Sequence, residues 1–175
     1  MKIFRLFVAF ALTCFALSPA AQAVVPPPDG GYPGFTTAEG TNALKNVTTG
    51  VGNTATGWHS LFTNSAGNLN TAIGAGTLLF NIGDNNTATG ALALLSNTTG
   101  FYNTADGAFA LLSNTTGSGN TADGYQALYS NQTGANNAAF GYTSLYNNTG
   151  SFNTAFGSQT LVYNTTGYQN TATGY

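Results

Sequence analysis

The chain has 175 residues, and only 5% of them are charged, whereas a typical soluble domain has about 25% charged residues. Its formal net charge is −2, from three basic and five acidic residues. Because no cluster of lysine or arginine is available to neutralise phosphates, this composition excludes an ordinary nucleic-acid-binding protein.

The first 23 residues have the pattern of a secretory signal peptide. Lys2 and Arg5 form a basic start, an apolar run covers residues 6–17, and residues 21–23 (Ala-Gln-Ala) match a cleavage site. The run is shorter than the roughly 20 apolar residues that a transmembrane helix needs. We therefore expect a secreted or cell-surface protein with no membrane span once the signal peptide is removed.

Cleavage after residue 23 would change both the cysteine content and the charge of the chain. It would remove Cys14, the single cysteine, so the mature chain would have no disulfide. It would also leave Lys45 as the one basic residue against five acids, a net charge of 1 − 5 = −4. Residues 24–35 are rich in proline and glycine, which is typical of an extended linker.

Residues 36–175 repeat with a nearly constant period. Most units begin with Asn-Thr-Ala-x-Gly, and successive units start 17 or 16 residues apart. A fixed period of this kind predicts a stack of similar coils. The two 16-residue units lack one residue just before their second glycine, so we expect these deletions to lie in turns. The units start at Asn53, Asn70, Asn86, Asn103, Asn120, Asn137, Asn153 and Asn170, after a degenerate unit that starts at Thr36.

The unit composition favours a parallel β-solenoid. Two glycines in every unit exclude a helical solenoid, because each glycine costs a helix about 1 kcal/mol relative to alanine. Leucine-rich repeats need several leucines per unit and pentapeptide repeats need a five-residue subperiod, and the sequence has neither. We predict an all-β fold, a β-roll of about eight 17-residue coils with two short strands per coil. The first strand would be Asn-Thr-Ala-x and the second would surround the Ala-Leu pair.

Two sets of residues are predicted to form ladders along the axis of this stack. The asparagines that start the units would bond to one another through their amides. The second set is one leucine in each unit, which would fill the core. These leucines are Leu44, Leu61, Leu78, Leu94, Leu111, Leu128, Leu145 and Leu161.

The residue after each leucine is apolar in seven of the eight units, the exception being Lys45. Side chains alternate along a strand, so this residue would point outward if the leucine points inward. A continuous outward apolar stripe favours an interface between copies of the chain. The alternative is that leucine and its neighbour share a wide coil interior. The candidate interface residues are Phe62, Leu79, Leu95, Leu112, Tyr129, Tyr146 and Val162.

The unit at residues 120–134, Asn-Thr-Ala-Asp-Gly-Tyr-Gln-Ala-Leu-Tyr-Ser-Asn-Gln-Thr-Gly, resembles the repeats of long bacterial surface and tail-fibre-like proteins. Its Asn-x-Ala-x-Gly part is similar to the head repeats of YadA-like trimeric autotransporter adhesins. The resemblance covers residues 36–175 and implies a left-handed parallel β-roll, often trimeric, that works in surface attachment. The 17-residue period is longer than the usual adhesin head repeat.

The residue types that usually catalyse reactions or bind metal ions do not form a recognisable site in this sequence. His59 is the single histidine, so no Ser/His or Cys/His relay can be built, and we expect no enzymatic activity and no cofactor. Asp106 and Asp123 share one repeat position, but the glycine-rich calcium-binding repeat is missing, so no metal site is predicted.

Other features of the surface allow further interpretations. Aromatic residues follow the first glycine of four units and could contact a glycan or a partner, or simply cover the corner. Asn-x-Thr sequons occur at predicted turns, and we interpret them as by-products of the repeat. The aromatic residues are Trp58, Tyr125, Tyr142 and Tyr175, and the sequon asparagines are Asn46, Asn85, Asn97, Asn114, Asn131, Asn147 and Asn164.

Together these observations favour a secreted or cell-surface structural or adhesive protein that presents a stacked surface. We expect self-association, with a host surface, a glycan or matrix as the candidate partner. The alternative is a filament subunit that stacks head to tail through open solenoid ends. A third hypothesis is a monomer that binds ice or another surface, because three units contain Thr-x-Thr, at residues 54–56, 87–89 and 171–173.

Overall fold

The computed structural model describes residues 34–175, and this part of the chain is a β-solenoid. Nine short strands form one parallel sheet in chain order, so the predicted fold is confirmed. No helix in residues 34–175 has the length and apolar character needed to cross a membrane. The predicted signal peptide and residues 24–33 of the predicted linker lie outside the described residues. The strands are β1 Thr37–Glu39, β2 Thr54–Thr56, β3 Thr71–Ile73, β4 Thr87–Thr89, β5 Thr104–Asp106, β6 Thr121–Asp123, β7 Ala138–Phe140, β8 Thr154–Phe156 and β9 Thr171–Thr173.

The strands keep one register along the whole stack. Each pairs with the next at a step of 17 residues, or 16 where a unit is short, and the central alanines face one another throughout. The first deletion lies between Asn81 and Gly83, where Asn81 Nδ2 still reaches Gly83 O at 2.9 Å. The second lies between Asn148 and Gly150, with the same contact at 2.8 Å. Both deletions therefore fall in turns, as predicted.

Positions within a unit are numbered here from 1, the first Asn of Asn-Thr-Ala-x-Gly, to 17, and short units lack position 14.

The stack begins slightly before residue 36. Gly34 O accepts a hydrogen bond from Gly52 N at 2.7 Å, and Phe35 has the same left-handed backbone as the residues at position 17 of later units. Gly34 and Phe35, the last two residues of the predicted linker, therefore belong to the stack and contact its first coil.

Each coil has one strand, so the prediction of a second strand around the Ala-Leu pair is wrong. Ala93 and Leu94 are consecutive and both fully buried, whereas an extended chain sends neighbouring side chains to opposite faces. The segment is a pair of turns in which every ladder leucine has a positive φ, between 47° and 54°. This conformation costs about 1–2 kcal/mol, and burial of the leucine side chain, at about 1.5–3 kcal/mol, offsets it.

Alanine, leucine and asparagine fill the interior of the coil. The alanine at position 3 is buried from Ala38 to Ala155, and the leucine at position 9 is buried from Leu44 to Leu145, while Leu161 is partly buried. Position 8 always has a small residue beside the leucine. Where this residue is Ser or Thr, its hydroxyl donates to a carbonyl of the next coil, as Thr77 Oγ1 does to Gly90 O at 2.7 Å. The apolar core is thus one leucine and one or two alanines wide.

The asparagines at position 1 form the predicted amide ladder. Asn103 Nδ2 donates to Asn86 Oδ1 in the preceding coil at 3.2 Å and to Gly117 O in its own coil at 2.8 Å. Asn103 Oδ1 accepts from the backbone N and the Nδ2 of Asn120, at 3.0 and 3.1 Å. A backbone amide donates to the preceding Oδ1 at every step from Asn53 to Asn170. These amides are buried except at Asn170, so the ladder is part of the core.

A second amide ladder, at position 12, was not predicted. Asn97 Nδ2 donates to Asn81 Oδ1 at 2.6 Å, and Asn114 Nδ2 donates to Asn97 Oδ1 at 2.7 Å. Several of these asparagines belong to sequons, and a glycan on the buried Asn97 or Asn114 would break the ladder. The ladder weakens where the chain enters a short coil. Asn64 Oδ1 is buried without a partner, and the bond from Asn148 Nδ2 to Asn131 Oδ1 is 3.5 Å long.

The first glycine of each unit is required by the close approach of neighbouring coils. Gly107 has φ 130°, a region that residues with a Cβ rarely adopt. A Cβ at Gly107 would lie 2.7 Å from both C and O of Gly124 in the next coil. Any larger residue at this position would push the two coils apart.

Candidate interaction surfaces

The outer face of the sheet has two columns of side chains, at positions 2 and 4. Position 2 is threonine on eight of the nine strands, and its neighbours in register are one coil apart. Position 4 varies along the axis, with Asp106 and Asp123 in the middle and Phe140 and Phe156 further on. The two phenylalanine rings are 5.6 Å apart, and Phe156 is 61% exposed. The face is therefore one regular threonine column beside a mixed column.

Asp106 and Asp123 are register partners on β5 and β6, and both side chains are exposed. Within residues 34–175, no group of three or more His, Cys, Asp or Glu side chains comes together. The two carboxylates therefore form a like-charged pair in contact with solvent.

The candidate interface residues at position 10 form one column on the outside of the turns. All seven are half-buried, because they pack against each other and against the column at position 7. The rings of Tyr129 and Tyr146 stack at 4.9 Å. At Gly76, which is position 7, an added Cβ would lie 2.6 Å from Leu92 Cδ2 and about 4 Å from Leu79 and Leu95. Positions 7 and 10 thus form a single two-column face, which we call the turn face.

After its first coil, which contains Lys45, the turn face has no acidic residue, lysine or arginine. Its position-7 residues include no Lys, Arg, Asp or Glu, and its position-10 residues are apolar from Phe62 to Val162. His59 lies on this face, stacked between Trp58 at 4.0 Å and Phe62 at 4.6 Å, and its Nε2 is 2.9 Å from Asn42 Nδ2. The ring of the single histidine therefore packs between two aromatic rings.

The corner aromatics at position 6 are exposed. Trp58 is 56% exposed and Tyr142 is 52% exposed. The rings of Tyr125 and Tyr142 stack nearly parallel at 5.7 Å, so they cover one another's faces along the axis and present mainly their edges to solvent. Each of these residues follows the first glycine of its coil, and Tyr125 and Tyr142 belong to adjacent coils.

A cleft of about 420 Å³ lies beside the first short coil. This coil has no residue at position 14, so Thr99, at position 14 of the next coil, has no counterpart beneath it. The walls are formed by Ile82, Asp84 and Asn85 of the short coil and by Phe101 and Tyr102 of the next coil. The first deletion therefore coincides with a concave site on the surface of the stack.

The cleft combines two aromatic rings with polar groups that have spare hydrogen-bonding capacity. The rings of Phe101 and Tyr102 meet edge to face at 5.4 Å, and they are 48% and 63% exposed. Asn68 donates to Asp84 Oδ1 twice, from its backbone N at 2.7 Å and from Nδ2 at 3.1 Å. Both bonds use the same oxygen, and within residues 34–175 no hydrogen bond uses Asp84 Oδ2. Sequence reasoning missed this site, although the deletion and the adjacent Phe-Tyr pair are both visible in the sequence.

Comparisons with family models, with curated proteins and with solved structures find no match to this chain. The surfaces described above are therefore interpreted from their own geometry.

Proposed function

We propose that this chain is a secreted or cell-surface structural and adhesive protein, in which copies associate through the turn face and present the remaining faces outward. The observation that supports this most directly is the uncharged apolar column from Phe62 to Val162 on the outside of the solenoid. A column that is only half-buried by its own chain can bury more apolar area against a second copy, at about 25 cal/mol per Å².

The positions of the charges also support association at this face. Asp106 and Asp123 project from the sheet, and Asp84 lies beside the cleft, so these carboxylates are not part of the turn face. Lys45 is the charged residue of position 10, and it belongs to the first coil. Copies in the same orientation can therefore approach along the column from Phe62 to Val162 without opposing like charges, and their Lys45 side chains would meet at the first coil. A trimer would give three parallel rods with three outward surfaces.

The head-to-tail filament is less well supported by the chemistry of the two amide ladders. Asn164, in the coil of β8, and Asn170, in the coil of β9, present side-chain amides along the axis, and further stacked coils would continue both ladders through side-chain amides. The coil of β1 has Thr36 and Val47 at positions 1 and 12. Neither has a carboxamide, so a second copy docked through this coil could not supply the side-chain amide donors.

Light scattering on residues 24–175 across a concentration series tests the proposal. We expect a discrete trimer for this chain, and monomers for Leu95→Asp and Leu112→Asp, because each places a charge in the centre of the turn face. Thr104→Asp is the matched control, since it adds the same charge to the exposed sheet face. A stable monomer at all concentrations would contradict the proposal, and open-ended growth would favour the filament instead.

A further inference from the structure

We propose that the cleft beside the first short coil binds a neutral sugar, with the pyranose ring against Tyr102 and its hydroxyl groups on Asp84 and Asn85. This inference rests on the adhesive function proposed above and names a ligand class for it. The cleft exists because one residue is missing between Ile82 and Gly83, and its volume of about 420 Å³ is in the range of small-ligand sites.

The aromatic wall suits the apolar face of a sugar ring. Tyr102 is 63% exposed although its backbone is held in the stack, with its N donating to Asp84 O at 3.3 Å. The edge of one ring meets the face of the other in the Phe101–Tyr102 pair, which fixes their relative orientation. A rigid, exposed ring beside a concave polar wall can cover the C–H face of a pyranose and lose little conformational entropy.

The polar wall suits hydroxyl groups. Asp84 Oδ1 is already occupied by two bonds from Asn68, so the carboxylate is held in one orientation with Oδ2 available as an acceptor. The carboxamide of Asn85, in the same wall, makes no hydrogen bond within residues 34–175 and offers both a donor and an acceptor. Vicinal hydroxyls, each of which donates and accepts, match this pair, and bonds to the carboxylate would be charge-assisted.

The charges around the cleft select against an anionic ligand. Asp84 is in the wall, and the one lysine or arginine of the described chain, Lys45, belongs to the first coil. A uronic acid, a sialic acid or a phosphate would therefore face a carboxylate without a balancing cation. A small cation is the main competitor, but Asp84 is exposed and its attraction is screened by water. With one aromatic platform and few polar contacts we expect millimolar affinity at each cleft, increased by multivalency in a trimer.

The experiment is a titration of the isotope-labelled chain, residues 24–175, with methyl glucoside, methyl mannoside and methyl galactoside, followed through backbone amide shifts. Glucuronate and choline are titrated in parallel as an anionic and a cationic probe. We expect at least one neutral glycoside to shift the amides of residues 82–85 and 99–102, and we expect neither charged probe to do so. Shifts with choline alone, or no shifts at these residues with any glycoside, would overturn the inference.

Variants can be taken from residues that the repeat itself uses at the same positions. Tyr102→Asn introduces the residue found at position 17 in Asn85 and Asn136, where the backbone has the same φ. Asp84→Asn introduces the residue found at position 16 in Asn68. We expect at least a tenfold loss of affinity with Tyr102→Asn and a smaller loss with Asp84→Asn, because the amide keeps one acceptor. Affinity that survives Tyr102→Asn would contradict the proposed ring contact.

A third variant removes the cleft but keeps every proposed contact residue. Insertion of Thr between Ile82 and Gly83 restores a 17-residue coil and places a side chain under Thr99, so glycoside binding should be lost. Tyr168→Ser is the matched control, at position 16 of the coil that follows the second short coil, the place that Phe101 takes after the first, and it should leave binding unchanged. Light scattering on the same samples separates the two proposals. A trimer that fails to bind glycosides refutes only the cleft, and a monomer that binds them refutes only the association.

Discussion

Asn103 lies in the middle of the position-1 ladder, and its removal should destabilise the whole stack. In Asn103→Ala four side-chain hydrogen bonds are lost, two donated by Nδ2 and two accepted by Oδ1. Asn86 Oδ1 keeps its bond from the Asn103 backbone and Gly117 O keeps its bond from Asn114. The backbone amide of Asn120, however, is left buried without an acceptor. At about 1 kcal/mol for each bond, and with this unsatisfied amide, the loss should be about 3–5 kcal/mol.

Asn103→Asp separates the loss of the donor from the loss of the acceptor. One carboxylate oxygen can still accept from Asn120, but the other replaces Nδ2 and faces Gly117 O at 2.8 Å and Asn86 Oδ1 at 3.2 Å. The protonated acid can donate to Gly117 O, so the folded state should raise the pKa of this new carboxyl above its unfolded value of about 3.9. Its stability should therefore be near that of the parent chain below about pH 3.9 and fall as pH rises through the folded pKa.

Guanidinium unfolding followed by circular dichroism, at several pH values, measures both effects. Amide hydrogen exchange at Asn120 gives the local effect, which is needed because a repeat protein can unfold in parts. The controls are Asn46→Ala and Asn46→Asp, since Asn46 is exposed in the first coil. If Asn103→Ala loses less than about 1 kcal/mol, or if Asn103→Asp is as stable at pH 7 as at pH 3, the buried ladder does not stabilise the fold as argued.

Three other substitutions test separate features of the stack. Leu111→Ala should destabilise the chain by about 2–5 kcal/mol in the same unfolding assay, because Leu111 is fully buried, and a loss below about 1 kcal/mol would show that the narrow core collapses around the gap. Gly107→Ala should prevent folding of the central coils, because its Cβ would overlap the backbone of Gly124. The readout is loss of the β signal in circular dichroism. A native spectrum with an unchanged unfolding midpoint would contradict this. Asp106→Asn should raise the free energy of unfolding by a few tenths of a kcal/mol at low salt, because it removes repulsion from Asp123. The gain should vanish near 1 M salt, which screens the two charges. A gain that persists at that salt concentration would exclude an electrostatic cause.

The repeat pattern alone was enough to predict the period, the parallel stacking, the core position of one leucine in each unit and the structural role of the position-1 asparagines. These follow from local rules, because a residue that recurs every 17 positions meets its own copy in the next coil whatever the shape of the coil. The deletions at Asn81–Gly83 and Asn148–Gly150 were also placed correctly, since a turn can lose a residue without changing the register of the strands.

The way each coil closes depends on contacts between coils. The Ala-Leu pair was predicted to be a strand because alternation is the usual way to bury an apolar side chain, but Ala93 and Leu94 are both buried through a left-handed leucine. That conformation is unfavourable in isolation and becomes stable when the next coil supplies a carbonyl to the leucine amide, as Ala110 O does for Leu94 N at 3.0 Å. The position-12 ladder and the cleft depend in the same way on groups 16 or 17 residues apart in sequence, which meet only when the coils are stacked.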